Sequence, residues 1–203
     1  LKVILGEMKK KCNNCGAKMD EFGTHALQCK KGPKNIIARH DEMVDFITST
    51  ANKLGFGVRK ESKEGHTNSK MRPADISICE FIDNKTTDID FTIRSALANS
   101  HVQKLASDKD SLTNNAEIEK RTKYTDHYEK NKIVIGERIF STFAMHSLGG
   151  YGNEAIQILK LLSRSLAERQ ITSLKSAFTQ IRHHISASLV KCIGSQLVSK
   201  ALN

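Results

Sequence analysis

Between Asn35 and Leu54 apolar residues recur at helical spacing, with Ile36, Ile37, Met43, Val44, Ile47, Ala51 and Leu54 on one side of a 3.6-residue repeat. Gly32-Pro33 breaks the chain before this helix and Gly55 stops it. The pattern then changes. Gly57 to Ser62, Arg72 to Phe81 and Thr86 to Ile93 are short, alternating or apolar, and separated by polar turn material, which predicts three strands in a meander. Ser95 to Thr113 is polar with few anchors, and no element is expected there. A helix is expected from about Asn114 to Lys130 and a strand in the apolar run Ile133 to Met145, followed by a turn at Gly149, Gly150 and Gly152. Two amphipathic helices close the chain. Ile156, Leu159, Leu162 and Leu166 line one between Asn153 and Arg169, and Leu174, Phe178, Ile181, Ile185, Leu189 and Cys192 line the other from Thr172 onward. The fold class expected is α/β (α+β), a mixed sheet flanked by helices, and there is no internal repeat.

At 203 residues and 38% hydrophobic composition, the chain can bury a core of about one domain plus an appendage. No apolar run approaches the roughly 18 to 20 residues that span a bilayer, and residues 1–11 lack the apolar stretch of a signal peptide. A soluble intracellular chain is expected, and the initial Leu in place of Met suggests a piece of a longer polypeptide. The 32 Lys and Arg exceed the 22 Asp and Glu by 10, the footprint of a polyanion-binding surface, with nucleic acid the leading partner.

Five cysteines without a secretory signal argue against a disulfide framework. Cys12 and Cys15 form C-x2-C, and His25 and Cys29 form H-x3-C after a nine-residue spacer. Soft ligands at this spacing suit a tetrahedral zinc ion, and four protein ligands make the site structural. Gly16 follows Cys15, where such a turn favours a residue without a Cβ. Cys79 and Cys192 lie in apolar surroundings and read as core.

Candidate catalytic chemistry lies mid-chain. Arg72-Pro73-Ala74-Asp75 opens one expected strand and Asp88-Ile89-Asp90-Phe91-Thr92 sits on the next. Adjacent strands would bring the carboxylates together, and two hard oxygen ligands at one end of a sheet suit Mg²⁺ or Mn²⁺. Asp88 and Asp90 share a face, so alternation alone does not exclude Asp88; the more apolar flanks of Asp90 favour it. Glu61, ending the preceding strand, could supply a third acid.

Cys-x2-Cys, His25-Ala26-Leu27-Gln28-Cys29, Arg39-His40-Asp41, Glu61, Arg72-Pro73-Ala74-Asp75, Ile89-Asp90-Phe91-Thr92-Ile93 and Lys120-Arg121-Thr122-Lys123-Tyr124 occur in this order. The ordered set resembles the C-terminal zinc knuckle and restriction-enzyme-like endonuclease of site-specific LINE-type (non-LTR) retrotransposons, within the PD-(D/E)xK nuclease superfamily, over roughly residues 12–170. The resemblance implies a knuckle over 1–34, a restriction-endonuclease-like core over 35–152 and a helical extension over 153–203. It also implies nicking of chromosomal DNA in the nucleus to prime reverse transcription, with an upstream reverse transcriptase and the element RNA as partners. Asp75 then resembles the Asp of the PD element, Asp90 the second acid and Glu61 the acid on the strand before. Thr92 stands where the usual lysine would be, and Lys120 or Lys123 on a later helix resembles its replacement, with Tyr124 and His127 on nearby faces. Arg39, His40, Arg72 and Tyr124 are expected DNA-facing residues; Arg39 is favoured for phosphate contact, while a packing role for His40 is equally open. Two rivals remain: a non-catalytic nucleic-acid-binding module with a decayed nuclease fold, and a scaffold whose terminal helices bind protein.

Overall fold

The computed structural model describes residues 10–20, 23–32, 34–61, 74–130 and 138–201. Arg72 and Pro73, the end of the first expected strand at Ser62 and the run 133–137 lie outside these, as does the side chain of His127. Helix α1 is Thr24–Gln28 and α2 is Ile36–Lys53. The side chain of Asn35 starts α2 by accepting from the backbone N–H groups of Ile37 and Ala38. Met43, Val44, Ile47 and Ala51 bury its apolar stripe, and Gly55 ends it at φ 81°, a conformation that favours glycine.

Strands β1 (Val58–Lys60), β2 (Ile76–Ile82), β3 (Lys85–Arg94) and β4 (Arg138–His146) form one sheet in that order. The first three pair antiparallel, as the expected meander requires. Asp83 and Asn84 join β2 to β3 with positive φ at both positions, the backbone a two-residue hairpin needs. β4 runs parallel to β3, from Thr86↔Arg138 to Arg94↔His146. A parallel neighbour requires a crossover, made by α3 (Asn99–Ser107) and α4 (Ser111–Lys130). The expectation of no element between Ser95 and Thr113 is therefore corrected: α3 forms there and α4 begins earlier than expected. α3 has no side-chain N-cap hydrogen bond, so the local start signal was missing.

Helices α5 (Asn153–Gln170) and α6 (Leu174–Ala201) follow. Alternation sorts the sheet into two faces. Ile76, Ile89, Phe91, Phe143 and Met145 join Ile47 of α2, Leu159 of α5 and Ile185 of α6 in one hydrophobic cluster. The opposite face carries Ser77, Asp88, Asp90 and Phe140, and Tyr124 of α4 stacks on Phe140 at 4.3 Å between ring centroids. The protein is mixed α/β, a four-stranded mixed sheet flanked by helices. No helix among the described residues is long and apolar enough to cross a membrane.

Candidate active site and metal centre

Near the N-terminus the chain turns tightly on itself. Cys12 N–H donates to Ala17 O at 2.8 Å and Gly16 N–H to Cys12 O at 2.9 Å, with Gly16 at φ 74°. The ligand atoms of Cys12, Cys15, His25 and Cys29 all lie within 4.8 Å of one another. Cys12 Sγ and Cys29 Sγ stand 3.9 Å apart, close to the about 3.8 Å that two zinc–sulfur bonds of about 2.3 Å give in a tetrahedron. Cys15 Sγ is 3.0 Å from His25 Nε2. This group could hold a zinc ion. Burial pushes the Cys29 thiol up, and the Cys15 and Cys12 sulfurs push it further. Burial opposes ionisation at Cys12 too, but backbone N–H groups at Asn14 and Cys15 and the side chains of His25 and Cys15 bring it down to about 6. The end of α6 clamps this unit: the fully buried Lys200 donates to Cys29 O and Lys31 O at 3.1 and 3.2 Å, and Asn13 N–H donates to Lys200 O.

The second cluster sits where β2 begins beside β3. Phe91 N–H donates to Asp75 Oδ2 at 2.6 Å, and His40 of α2 places Nε2 3.1 Å from the same oxygen. The hydrogen bond to Asp75 lifts the His40 imidazole to about 9 against the opposing effect of burial, and Asp41, 3.1 Å from Nδ1, adds to it. Burial would raise the Asp75 carboxyl, but the His40 and Phe91 hydrogen bonds and the charges of His40 and Lys120 hold it below its ordinary value. His40, for which DNA contact and packing were both open, pairs with Asp75, and the aspartate is ionised at neutral pH.

Asp90 is 6% exposed and turned toward α4. The Tyr124 hydroxyl donates to its Oδ1 at 2.8 Å, and Lys120 Nζ lies 2.6 Å from its Oδ2. Burial raises the Tyr124 hydroxyl far above its ordinary value, with the charges of Asp90, Asp75 and Asp88 adding, so one phenol senses all three acids. The expected DNA contact from Tyr124 is corrected: the side chain is 3% exposed and fixes Asp90 instead. Lys120 and Lys123 part ways, since Lys123 Nζ stands 5.3 Å over the Tyr124 ring in an exposed position.

Asp75, Glu61 and Lys60 line a cavity of about 430 Å³ with His40, Asp41 and Asp45; Asp90 is not part of that lining. Glu61 is exposed at φ 45°, and its N–H donates to Asp75 O at 2.8 Å, so backbone ties the third acid to the first. Asp88, the alternative left open by alternation, is fully buried and held by the guanidinium fork of Arg138 at 2.6 and 2.9 Å and by Ser77 Oγ at 2.5 Å. Arg138 lies 50 residues from Asp88, and no local spacing could have announced the pair. Arg39 also departs from expectation: at 2% exposure it reaches Gln196 of α6 at 3.2 Å, out of reach of a duplex lying on the protein surface.

The chain matches no protein-family model and no curated protein sequence.

Proposed function

We propose that this chain is a divalent-metal-dependent DNA endonuclease with a restriction-endonuclease-like core and a zinc-binding knuckle, nicking chromosomal DNA to prime reverse transcription of a retrotransposon. Its partners on this reading are target DNA, the element RNA and an upstream reverse transcriptase. The observation that carries it is one lysine shared by two acids: the Lys120 ammonium pairs with Asp90 on β3, and its charge also bears on Asp75, just before β2. Hard carboxylates, one of them held ionised and 27% exposed beside a cavity, fit a small divalent cation.

Asp75, Asp90 and Glu61 would hold Mg²⁺ or Mn²⁺, which lowers the pKa of bound water and offsets charge on phosphorus. His40 fixes the Asp75 carboxylate, and Tyr124 fixes that of Asp90. Lys120, 25% exposed, supplies a positive charge where phosphate charge develops, and is preferred over Lys123 because Lys123 points to a ring face and solvent. Water adds to phosphorus and loses a proton, the bond from phosphorus to the 3′-oxygen breaks, and the products are a 3′-hydroxyl and a 5′-phosphate. Cys12, Cys15, His25 and Cys29 would bind zinc in a structural role.

A non-catalytic nucleic-acid module is the second reading, favoured by the cationic partner that each aspartate already has in Lys120 or His40. Asp75→Ala separates the two. The variant should bind DNA at least as well as wild type without divalent metal, because it loses only an acid, and should not nick. Nicking at the wild-type rate by this variant would refute the endonuclease reading.

A further inference from the structure

Among the described residues the buried guanidinium of Arg39 makes no ion pair. Its Nη1 donates to Gln196 Oε1, but Arg39 Nε and Gln196 Nε2 have no hydrogen-bond partner among the described residues, and the two side chains are 2% and 1% exposed. The group that electrostatically favours its charge is the Cys192 thiol, which burial pushes up and so keeps neutral near pH 7. A buried cation left in this state is strongly unfavourable. Both side chains line a cavity of about 170 Å³ between α2 and α6, together with Asn35 at the α2 N-terminus, Lys34, Lys191 and Glu42. Three cations thus face one acid at the positive end of an 18-residue helix.

Water could satisfy the two N–H groups but not the charge. We propose that this cavity is an anion site that takes a phosphate group with no second ester link, either free inorganic phosphate or the terminal phosphate monoester of a nucleic-acid strand. Size selects the class. The volume falls below the roughly 300 Å³ of pockets that enclose whole small molecules, yet equals about five or six waters at about 30 Å³ each. A phosphate group fits this volume, whereas an internal phosphodiester brings a nucleoside on each side and exceeds it. The site stands independently of the endonuclease reading, which adds a source: a nick that leaves a 3′-hydroxyl also leaves a 5′-phosphate. Arg39 and His40 are consecutive on α2, so the anion cavity and the Asp75 cavity flank a helix about 10–12 Å across.

The test is calorimetric titration and thermal unfolding of the full chain with inorganic phosphate, against chloride at equal ionic strength. Parallel titrations use one short single strand bearing either a 5′-phosphate or a 5′-hydroxyl. Phosphate at about five times its Kd should raise Tm by roughly 2–4 °C. Arg39→Met should remove this shift and weaken binding by about tenfold or more, and the exposed Lys191→Ala should weaken it severalfold. Lys191→Ala decides the matter if Arg39→Met does not fold. A preference for the 5′-phosphorylated strand that Arg39→Met abolishes identifies the strand end as the source, and phosphate binding without that preference identifies free phosphate. The proposal is overturned if neither phosphate form binds beyond chloride, or if wild type and both variants respond alike.

Discussion

Tyr124→Phe removes one oxygen from a side chain that is 3% exposed and leaves its ring stacked on Phe140. What is lost is the 2.8 Å hydrogen bond to Asp90 Oδ1, while Lys120 remains on Oδ2. A hydrogen bond to an ionised partner contributes about 1.5–3 kcal/mol, and each kcal/mol moves Tm by about 2–4 °C in a chain of this length, so the expected fall is roughly 3–12 °C. Circular dichroism melts in metal-free buffer read it directly. A double-mutant cycle with Asp90→Asn should return most of that energy as coupling, because the two groups touch. DNA affinity should hold, since the phenol is withdrawn from solvent, while nicking falls with the loss of Asp90 orientation. A Tyr124→Phe protein within about 1 °C of wild type, with no coupling to Asp90, would refute the claim that Tyr124 positions the second acid.

Three further outcomes are expected. Burial and the neighbouring Glu154 charge raise the Glu117 carboxyl above its ordinary 4.5, so the native state keeps this proton to higher pH than the unfolded chain and loses stability as pH rises through that interval. Glu117→Gln keeps an acceptor for Glu154 N–H, at 2.9 Å in the wild type, and should gain on wild type across the interval with no difference below it; parallel Tm–pH curves would contradict this. Metal analysis should find about one zinc per chain, and chelation should speed hydrogen exchange in residues 10–32 and at the end of α6, which Lys200 and Asn13 join; a zinc-free protein with unchanged exchange would contradict the knuckle. DNA affinity should fall steeply with salt, with a log–log slope of about −0.9 per phosphate contacted, and a flat dependence would exclude a backbone-driven interface.

The periodic elements were legible because their apolar residues face one shared core. Met43, Val44, Ile47, Ala51 and Leu54 of the α2 stripe, the apolar positions of β2 and β3, and Leu159, Leu162, Ile181, Ile185 and Leu189 of the closing helices lie in a single cluster, whereas the equally marked Ile37 and Leu174 are exposed. α3 was not legible, because its sequence is polar and its N-cap is Ala98, which provides no side-chain hydrogen bond. The metal spacing of Cys12, Cys15, His25 and Cys29 was local and could be read directly. Side-chain direction was harder. Arg39 and Tyr124 look like surface cation and aromatic in sequence, yet α6 covers one and the sheet covers the other. The buried Asp88–Arg138 pair depends on the parallel register of β3 and β4, a long-range property that alternation in either strand does not reveal.

The central claim is tested most directly by incubating supercoiled plasmid with the purified chain in Mg²⁺, Mn²⁺ or excess chelator, and asking whether a polymerase extends the nicks. Endonuclease chemistry at the Asp75–Asp90 site predicts metal-dependent conversion to open circles whose nicks prime extension from a 3′-hydroxyl, with no conversion under chelation. Plasmid left supercoiled in both metals, or nicked equally in the presence of chelator, would contradict it.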